Sequence, residues 1–294
     1  MRNNSESQNL SSGIGIIPTR LSISRNFMHR LTEMVIVIKG AGEMASAVAW
    51  RLYMANFKRI LMLETAKPLA VRREVSFCEV LHDGSQTVEG VKAVMAGTIE
   101  DIHREWEQGR IAVAVDPQWL LLEQVRPKVV VDAILAKRNL GTRMMDAELV
   151  IGLGPGFNAG SDVHMVIETN RGPDLGRIIT AGAAEANTGV PGAIAGFTEE
   201  RVLRAPDAGR FKTTKSIGDF VMADEIIGTV AGQKLSSRID GVLRGLIRSD
   251  TRVPRGLKIG DVDPRGKKQY CFTISEKARA IGGSVLEAVL RVYN

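Results

Sequence analysis

A chain of 294 residues with 44% apolar and 24% charged residues has room for two packed domains and the composition of an ordinary globular protein. The net charge is +6, but residues 1–33 carry four Arg against two Glu and the remaining basic residues form no Lys/Arg block, which argues against a nucleic-acid footprint. Two cysteines, Cys78 and Cys271, exclude a disulfide framework and favour a reducing compartment, and no apolar run approaches the roughly 18 to 20 residues that span a bilayer.

Residues 1–33 are rich in Ser, Asn and Arg and lack the apolar core of a secretory signal. They read as a disordered or non-native N-terminal extension, with Met28 or Met34 as the true beginning; an organelle transit peptide is the other reading of that composition. Residues 34–188 read as a Rossmann-like domain. The stretch Met34–Leu63 has the pattern apolar strand, Gly-rich turn, helix, apolar strand, and Glu64 ends the second strand. The alternation continues through Val91–Met95, a helical stretch at Ile99–Gln108, Ile111–Val115, helical residues at Gln118–Val125, Val129–Ile134 and Leu149–Leu153. Short continuous apolar strands separated by helices predict a parallel sheet covered on both faces, with its ligand at the carboxyl ends of the strands. Those ends carry Gly40–Gly42, Glu64, Asp116, Asp132 and the loop that starts at Gly154.

Residues 189–266 lose the alternation and read as a small all-β module. An offset of 32 residues aligns Gly209 with Gly241, Phe211 with Leu243, Val221 with Val253, Ile227 with Ile259, Gly228 with Gly260 and Val230 with Val262. Two such copies are too few for a solenoid but can close one core, as in the barrel-sandwich hybrid of biotinyl and lipoyl domains. Lys215 and Lys258 lack the hairpin context of a modified lysine, so the module reads as structural or as a dimerisation surface. Residues 267–294 read as a C-terminal helix, N-capped by Ser275, with Gly282-Gly283 marking close packing against another backbone or a hinge.

Two loops carry chemical content. The turn Gly40, Ala41, Gly42, Glu43, Met44, Ala45 fits G-x-G-x-x-G/A between strand and helix, where backbone N–H groups meet a phosphate and Glu64 can accept bonds from a ribose. The loop with Gly154, Gly156, Asn158, Ser161 and Asp162 reads either as a second cradle for an anion or pterin edge, or as a glycine-rich connection. Gly182–Gly192 repeats that style with Glu185, Asn187 and Thr188, and Arg72-Arg73 reads as a phosphate contact or a solvated face. No nucleophile elbow, metalloprotease motif or Walker lysine is present, and His29, His82, His103 and His164 lack ligand spacing, so no metal site is expected. Cys78 and Cys271 sit in apolar surroundings that suit inert thiols, a sulfur or selenium carrier being the alternative.

The segments KGAGEMASAVAWRLYMANF, PLAVRREVSFCEV with HDGSQTVEGVKA, GLGPGFNAGSDVHMVIETNRG, ANTGVPGAIAG, IDGVLRGLIR, LKIGDVDPRG and CFTISEKARAIGGSVLEAVL together resemble the selenium-dependent molybdenum hydroxylase accessory (maturation) family. The resemblance spans roughly residues 34 to 294, with Glu43 standing where the family usually has Asp. In its Rossmann-like cofactor-handling domain the chain is also similar to xanthine dehydrogenase maturation chaperones. The resemblance implies a cytoplasmic protein that helps to mature a molybdenum hydroxylase client. A molybdopterin-type nucleotide cofactor would lie on Gly40–Gly42, the Gly154–Asp162 loop would close over it, and the β module would meet the client or a second copy. An NAD(P)-dependent oxidoreductase with Glu64 on the ribose, and a non-catalytic adaptor, are the alternatives.

Overall fold

The computed structural model describes residues 32–294 other than Thr188 and Val190. The reading of residues 1–33 as an extension therefore falls, up to residue 31, outside the described residues, as does the domain boundary placed at Thr188.

The first unit is built on a mixed nine-stranded sheet. Its strands are β1 (Val35–Lys39), β2 (Arg59–Glu64), β3 (Ser85–Val88), β4 (Val91–Met95), β5 (Ile111–Val115), β6 (Val129–Asp132), β7 (Leu149–Leu153), β9 (Met165–Ile167) and β10 (Ile178–Ile179), while β8 (Asn158–Ala159) pairs with β11 (Gly182–Ala183) outside it. The order is β10-β9-β7-β6-β1-β2-β5-β4-β3, parallel throughout except for the antiparallel edge strands β10 and β3. Central strands read as uninterrupted apolar runs because both faces are covered. Helices α1 (Glu43–Met54) and α5 (Glu276–Tyr293) share one core with Ile36, Ile38, Ile60 and Val131. On the other face Ile102 and Trp106 of α3 (Ile99–Glu107), with the flank of α4 (Leu121–Val125), meet Val37, Leu61 and Val130. A further helix, α2 (Val80–Asp83), is a single turn before β3. The chain leaves β1 toward β2 and later returns to the other side of β1 as β6, so the strand order reverses there and opens a crevice at the carboxyl ends.

The C-terminal helix, expected as a separate segment, is a layer of this first unit. Ala278, Ile281, Val285, Ala288 and Val289 are fully buried in the sheet core. Gly282 permits the contact, since a Cβ there would lie 2.9 Å from the carbonyl oxygen of Ala47 on α1.

The β module holds two four-stranded sheets around one core. One sheet has the order β12 (Val202–Arg204), β19 (Lys258–Asp263), β17 (Gly241–Leu246), β14 (Phe220–Val221). The other has β16 (Gln233–Ser236), β15 (Ile226–Val230), β13 (Gly209–Lys212), β18 (Arg252–Val253). The repeat resolves into β13-β14-β15 and β17-β18-β19, and the middle strand of each copy pairs with the first strand of the other. Val221 faces Gly241 as Val253 faces Gly209, and Phe211 faces Val230 as Leu243 faces Val262, so the offset of the sequence repeat reappears in the pairing register. The buried side chains Phe211, Val221, Ile227 and Val230 and their counterparts Leu243, Val253, Ile259 and Val262 form the shared core. The exchange locks the two copies together, because neither has a complete sheet alone.

The module is held against the first unit at residues 71–73. Leu246 N–H donates to the Val71 carbonyl (2.8 Å), Arg73 Nε donates to the Leu246 carbonyl (2.8 Å), and Arg248 pairs with Glu79. No helix among the described residues is long and apolar enough to cross a membrane.

Candidate functional site

The turn between β1 and α1 sits on the crevice. Gly40 has φ +93°, a conformation that L side chains rarely adopt, and its N–H donates to the Leu63 carbonyl (2.7 Å), so this position favours glycine. Gly42 differs. Its backbone is extended (φ −71°), it caps α1 without a side-chain hydrogen bond, and a Cβ there would meet nothing within 4 Å. Gly42, Glu43 and Met44 line a cleft at the positive end of the helix dipole. Ala41 and Ala45 are fully buried behind the turn, and Met44 is partly exposed on it.

Above this turn lies a cleft of about 530 Å³ shared between the two units. Gly40, Gly42, Glu43, Met44 and Glu64 line its floor, with Ala133–Leu135 after β6. Five cationic side chains, Arg171, Arg201, Arg244, Lys258 and Lys277, line the remainder. A hollow of about 660 Å³ beside α4 is larger but contains none of the glycine turn, and its cations alternate with Glu123, Asp146 and Glu148.

Asp261 of β19 orders three of the cations. Only 1% exposed, it accepts from Arg244 Nε (3.0 Å) and Nη2 (2.6 Å), from Lys258 Nζ (3.3 Å) and from Arg201 Nη1. Burial alone would raise its pKa, but Lys258, Arg244 and Arg201 outweigh burial and hold the carboxyl below the ordinary range. Asp263 is held low in the same way, burial being outweighed by bonds from Arg265 and the charge of Arg244. Arg201 is 5% exposed; its Nη2 donates to the Gly192 carbonyl (2.9 Å) and its Nε has no hydrogen-bond partner among the described residues. Arg171 pairs with Glu276 at 3.0 Å. Lys277 is half-buried and makes no hydrogen bond or ion pair among the described residues; burial, then the neighbouring Arg171, pulls its pKa down.

The expected site residues divide. Glu64 reaches the cleft, yet its carboxylate bonds back to the loop, Oε2 accepting from Ala41 N–H (2.9 Å) and Oε1 from Thr65 N–H (2.8 Å). Glu43 faces Arg72 at 3.5 Å. The second loop is not brought to the cleft. Gly154 and Gly156 serve close chain approach: added Cβ atoms would lie 2.4 Å from Thr169 Oγ1 and 2.5 Å from the Arg138 backbone nitrogen. Asp162 caps Asn158 N–H (2.9 Å) and Ser161 Oγ donates to the Asn158 carbonyl (3.4 Å), so the polar groups of the loop stitch the loop itself. Of the two readings of this loop, the glycine-rich connection matches that placement.

Other candidates prove structural. Arg72 is buried and donates to the carbonyls of Tyr270 (3.0 Å) and Thr273 (2.9 Å), tying α5's lead-in to the first unit. Asp116 caps Leu121 N–H (2.8 Å). Asp132 accepts from Thr142 Oγ1 (2.6 Å), which in turn accepts from the fully buried Lys39 (2.8 Å). Glu185 N–H donates to Glu168 Oε2 (2.7 Å), while Thr188 lies outside the described residues. Cys78 and Cys271 are buried, and burial raises both thiol pKa values, the opposite of what a nucleophilic thiolate needs. No group of three or more His, Cys, Asp or Glu among the described residues is arranged to hold a metal. The cations of the cleft were not singled out in the sequence because they lie on different elements. One local signal existed, in that Arg244 interrupts an otherwise apolar buried strand.

No protein-family model matches the chain. It is 48% identical over 266 residues to the uncharacterized protein YqeB of Escherichia coli (strain K12), an alignment covering 90% of this chain and 49% of YqeB. The chain thus spans about half the length of the curated relative it matches. Among solved structures, E. coli tRNA N6-threonylcarbamoyladenosine dehydratase, TcdA, in complex with ATP aligns at TM-score 0.31 and 12% identity, over 92% of this chain and 93% of that one. An aspartoacylase family protein from Mesorhizobium loti aligns at TM-score 0.24 and 11% identity, over 72% and 58%.

Proposed function

We propose that the chain binds a phosphate-bearing, nucleotide-type cofactor in the cleft above Gly42 and acts as an accessory protein in the maturation of a molybdenum hydroxylase. One observation carries the binding half: the unobstructed N-terminus of α1 opens into a cleft that five cations line against the carboxylates Glu43 and Glu64. A molybdopterin-type cofactor has the charge such a cleft favours, and the accessory role follows from the resemblance of the sequence segments. The client enzyme would meet the β module, which we propose to be a barrel-sandwich hybrid on the strength of its exchanged, symmetric strands. A cytoplasmic setting and a homo-oligomer belong to the same proposal.

An NAD(P)-dependent oxidoreductase fits less well, since Glu64 is engaged with Ala41 N–H and would have to release it to accept a ribose hydroxyl. The test is a titration of the full chain with molybdenum cofactor, molybdopterin cytosine dinucleotide, NADH and NADPH. Saturable pterin binding that disappears in Gly42→Asp supports the proposal. That variant should fold, because an added Cβ meets nothing and the backbone is extended. Binding of NADH or NADPH alone would overturn it in favour of an oxidoreductase, and no binding would leave an adaptor.

A further inference from the structure

Two helices, not one, aim their N-termini at the cleft. The first turn of α1 contributes Gly42, Glu43 and Met44, and the first turn of α5 contributes its N-cap Ser275 together with Lys277. The helices run in the same direction, since both start at the cleft and end at the opposite edge of the sheet, where Tyr53 bonds the Gly109 carbonyl before β5 and Tyr293 the Lys128 carbonyl before β6. Ser275 Oγ accepts from the Ala278 N–H (3.3 Å) and the Glu276 carboxylate accepts from its own N–H, which leaves the Lys277 N–H without a capping side chain among the described residues. Next to this second N-terminus stands Lys277, half-buried and without a hydrogen bond or ion pair among the described residues. Arg201 lies on the same wall, buried and bonded to Asp261 and to the Gly192 carbonyl. An ammonium without a partner beside a helix N-terminus is a group that an anion completes.

We infer that the cleft has a second anion subsite, formed by the N-terminus of α5 with Lys277 as its principal ligand, so that the molecule it takes carries two phosphoryl groups and not one. This rests on the reading of the Gly42 turn as the first subsite and narrows it to diphosphate-bridged or doubly phosphorylated ligands. Lys277 is then a specificity-determining residue. A monophosphate uses Gly42 and α1 alone, whereas a diphosphate also reaches Lys277.

The test is calorimetric titration of the full chain with orthophosphate and with inorganic pyrophosphate, for wild type, Lys277→Met, Lys277→Arg and Gly42→Asp. Wild type is expected to favour pyrophosphate by about ten-fold or more, the worth of one further charge-assisted hydrogen bond. Lys277→Met should lose about ten-fold for pyrophosphate and change orthophosphate by less than about two-fold, with Lys277→Arg retaining most of the preference. Lys277→Met should melt no lower than wild type, since it removes a half-buried charge that has no hydrogen bond or ion pair among the described residues. Unchanged pyrophosphate affinity in Lys277→Met, with Gly42→Asp still abolishing binding, would overturn the second subsite and leave the first. Failure of wild type to bind either probe overturns the second subsite; the nucleotide titrations then decide separately whether the first survives.

Discussion

Gly282 and Gly283 adjoin in the middle of α5, and the packing predicts opposite signs for the same substitution. Replacing either by Ala gains roughly 0.5 to 1 kcal/mol from helix propensity and the narrower unfolded ensemble. At Gly283 nothing lies within 4 Å of the added Cβ, so the gain stands and Gly283→Ala should be the more stable protein. At Gly282 the Cβ would sit 2.9 Å from the Ala47 carbonyl oxygen and 3.3 Å from Arg51 Cβ. Relief requires α1 and α5 to part by about half an ångström, against a core that already holds Ala278, Ile281 and Val285 fully buried. Overpacking of this kind costs about 1 to 3 kcal/mol. Set against the propensity gain, Gly282→Ala should lose up to about 2 kcal/mol, placing the two variants about 1 to 3 kcal/mol apart. Equilibrium urea unfolding of the full chain reads this as midpoints displaced in opposite directions at similar slope. Because Ser275 and Lys277 ride on α5, Gly282→Ala should also weaken binding in the cleft, whereas Gly283→Ala should not. Equal stabilisation by both substitutions would refute the close contact between the helices.

Asp261→Asn should cost about 3 to 5 kcal/mol, because it leaves Arg201 without its buried counter-charge and Arg244 with Asp263 alone, at 3.5 Å. The depressed pKa values of Asp261 and Asp263 mean that their contribution is complete above the unfolded carboxylate range and is lost as pH falls through the folded values. Acid unfolding followed by circular dichroism should therefore be steep in wild type and flatter in the variant; an unchanged profile would show that this cluster does not govern acid stability. Neither Cys78 nor Cys271 should react with a thiol-specific disulfide reagent until the chain is unfolded in guanidinium, and fast labelling of one thiol in the native protein would return a sulfur or selenium carrier to consideration.

The parts of this molecule that were legible in its sequence are those whose signals are local. Continuous apolar runs marked the strands around β1, and the demand for positive φ at Gly40 marked the turn. The offset repeat likewise aligned the residues that now share a core, but not the exchange of β14 and β18, since a two-residue strand carries no record of its partner. Glycine misled at Gly154 and Gly156 for a stated reason: a backbone that must admit a ligand and one that must admit another stretch of chain make the same demand on sequence. Only the neighbours distinguish them, Thr169 and Arg138 at one loop and empty space at Gly42. The cationic wall was hidden for the opposite reason, because its members are far apart in sequence and meet only through two tertiary events. Asp261 gathers Arg201, Arg244 and Lys258 from the module, and the return of α5 alongside α1 delivers Ser275 and Lys277 to the glycine turn. The cleft is therefore a product of the chain's C-terminal return as much as of its glycine turn.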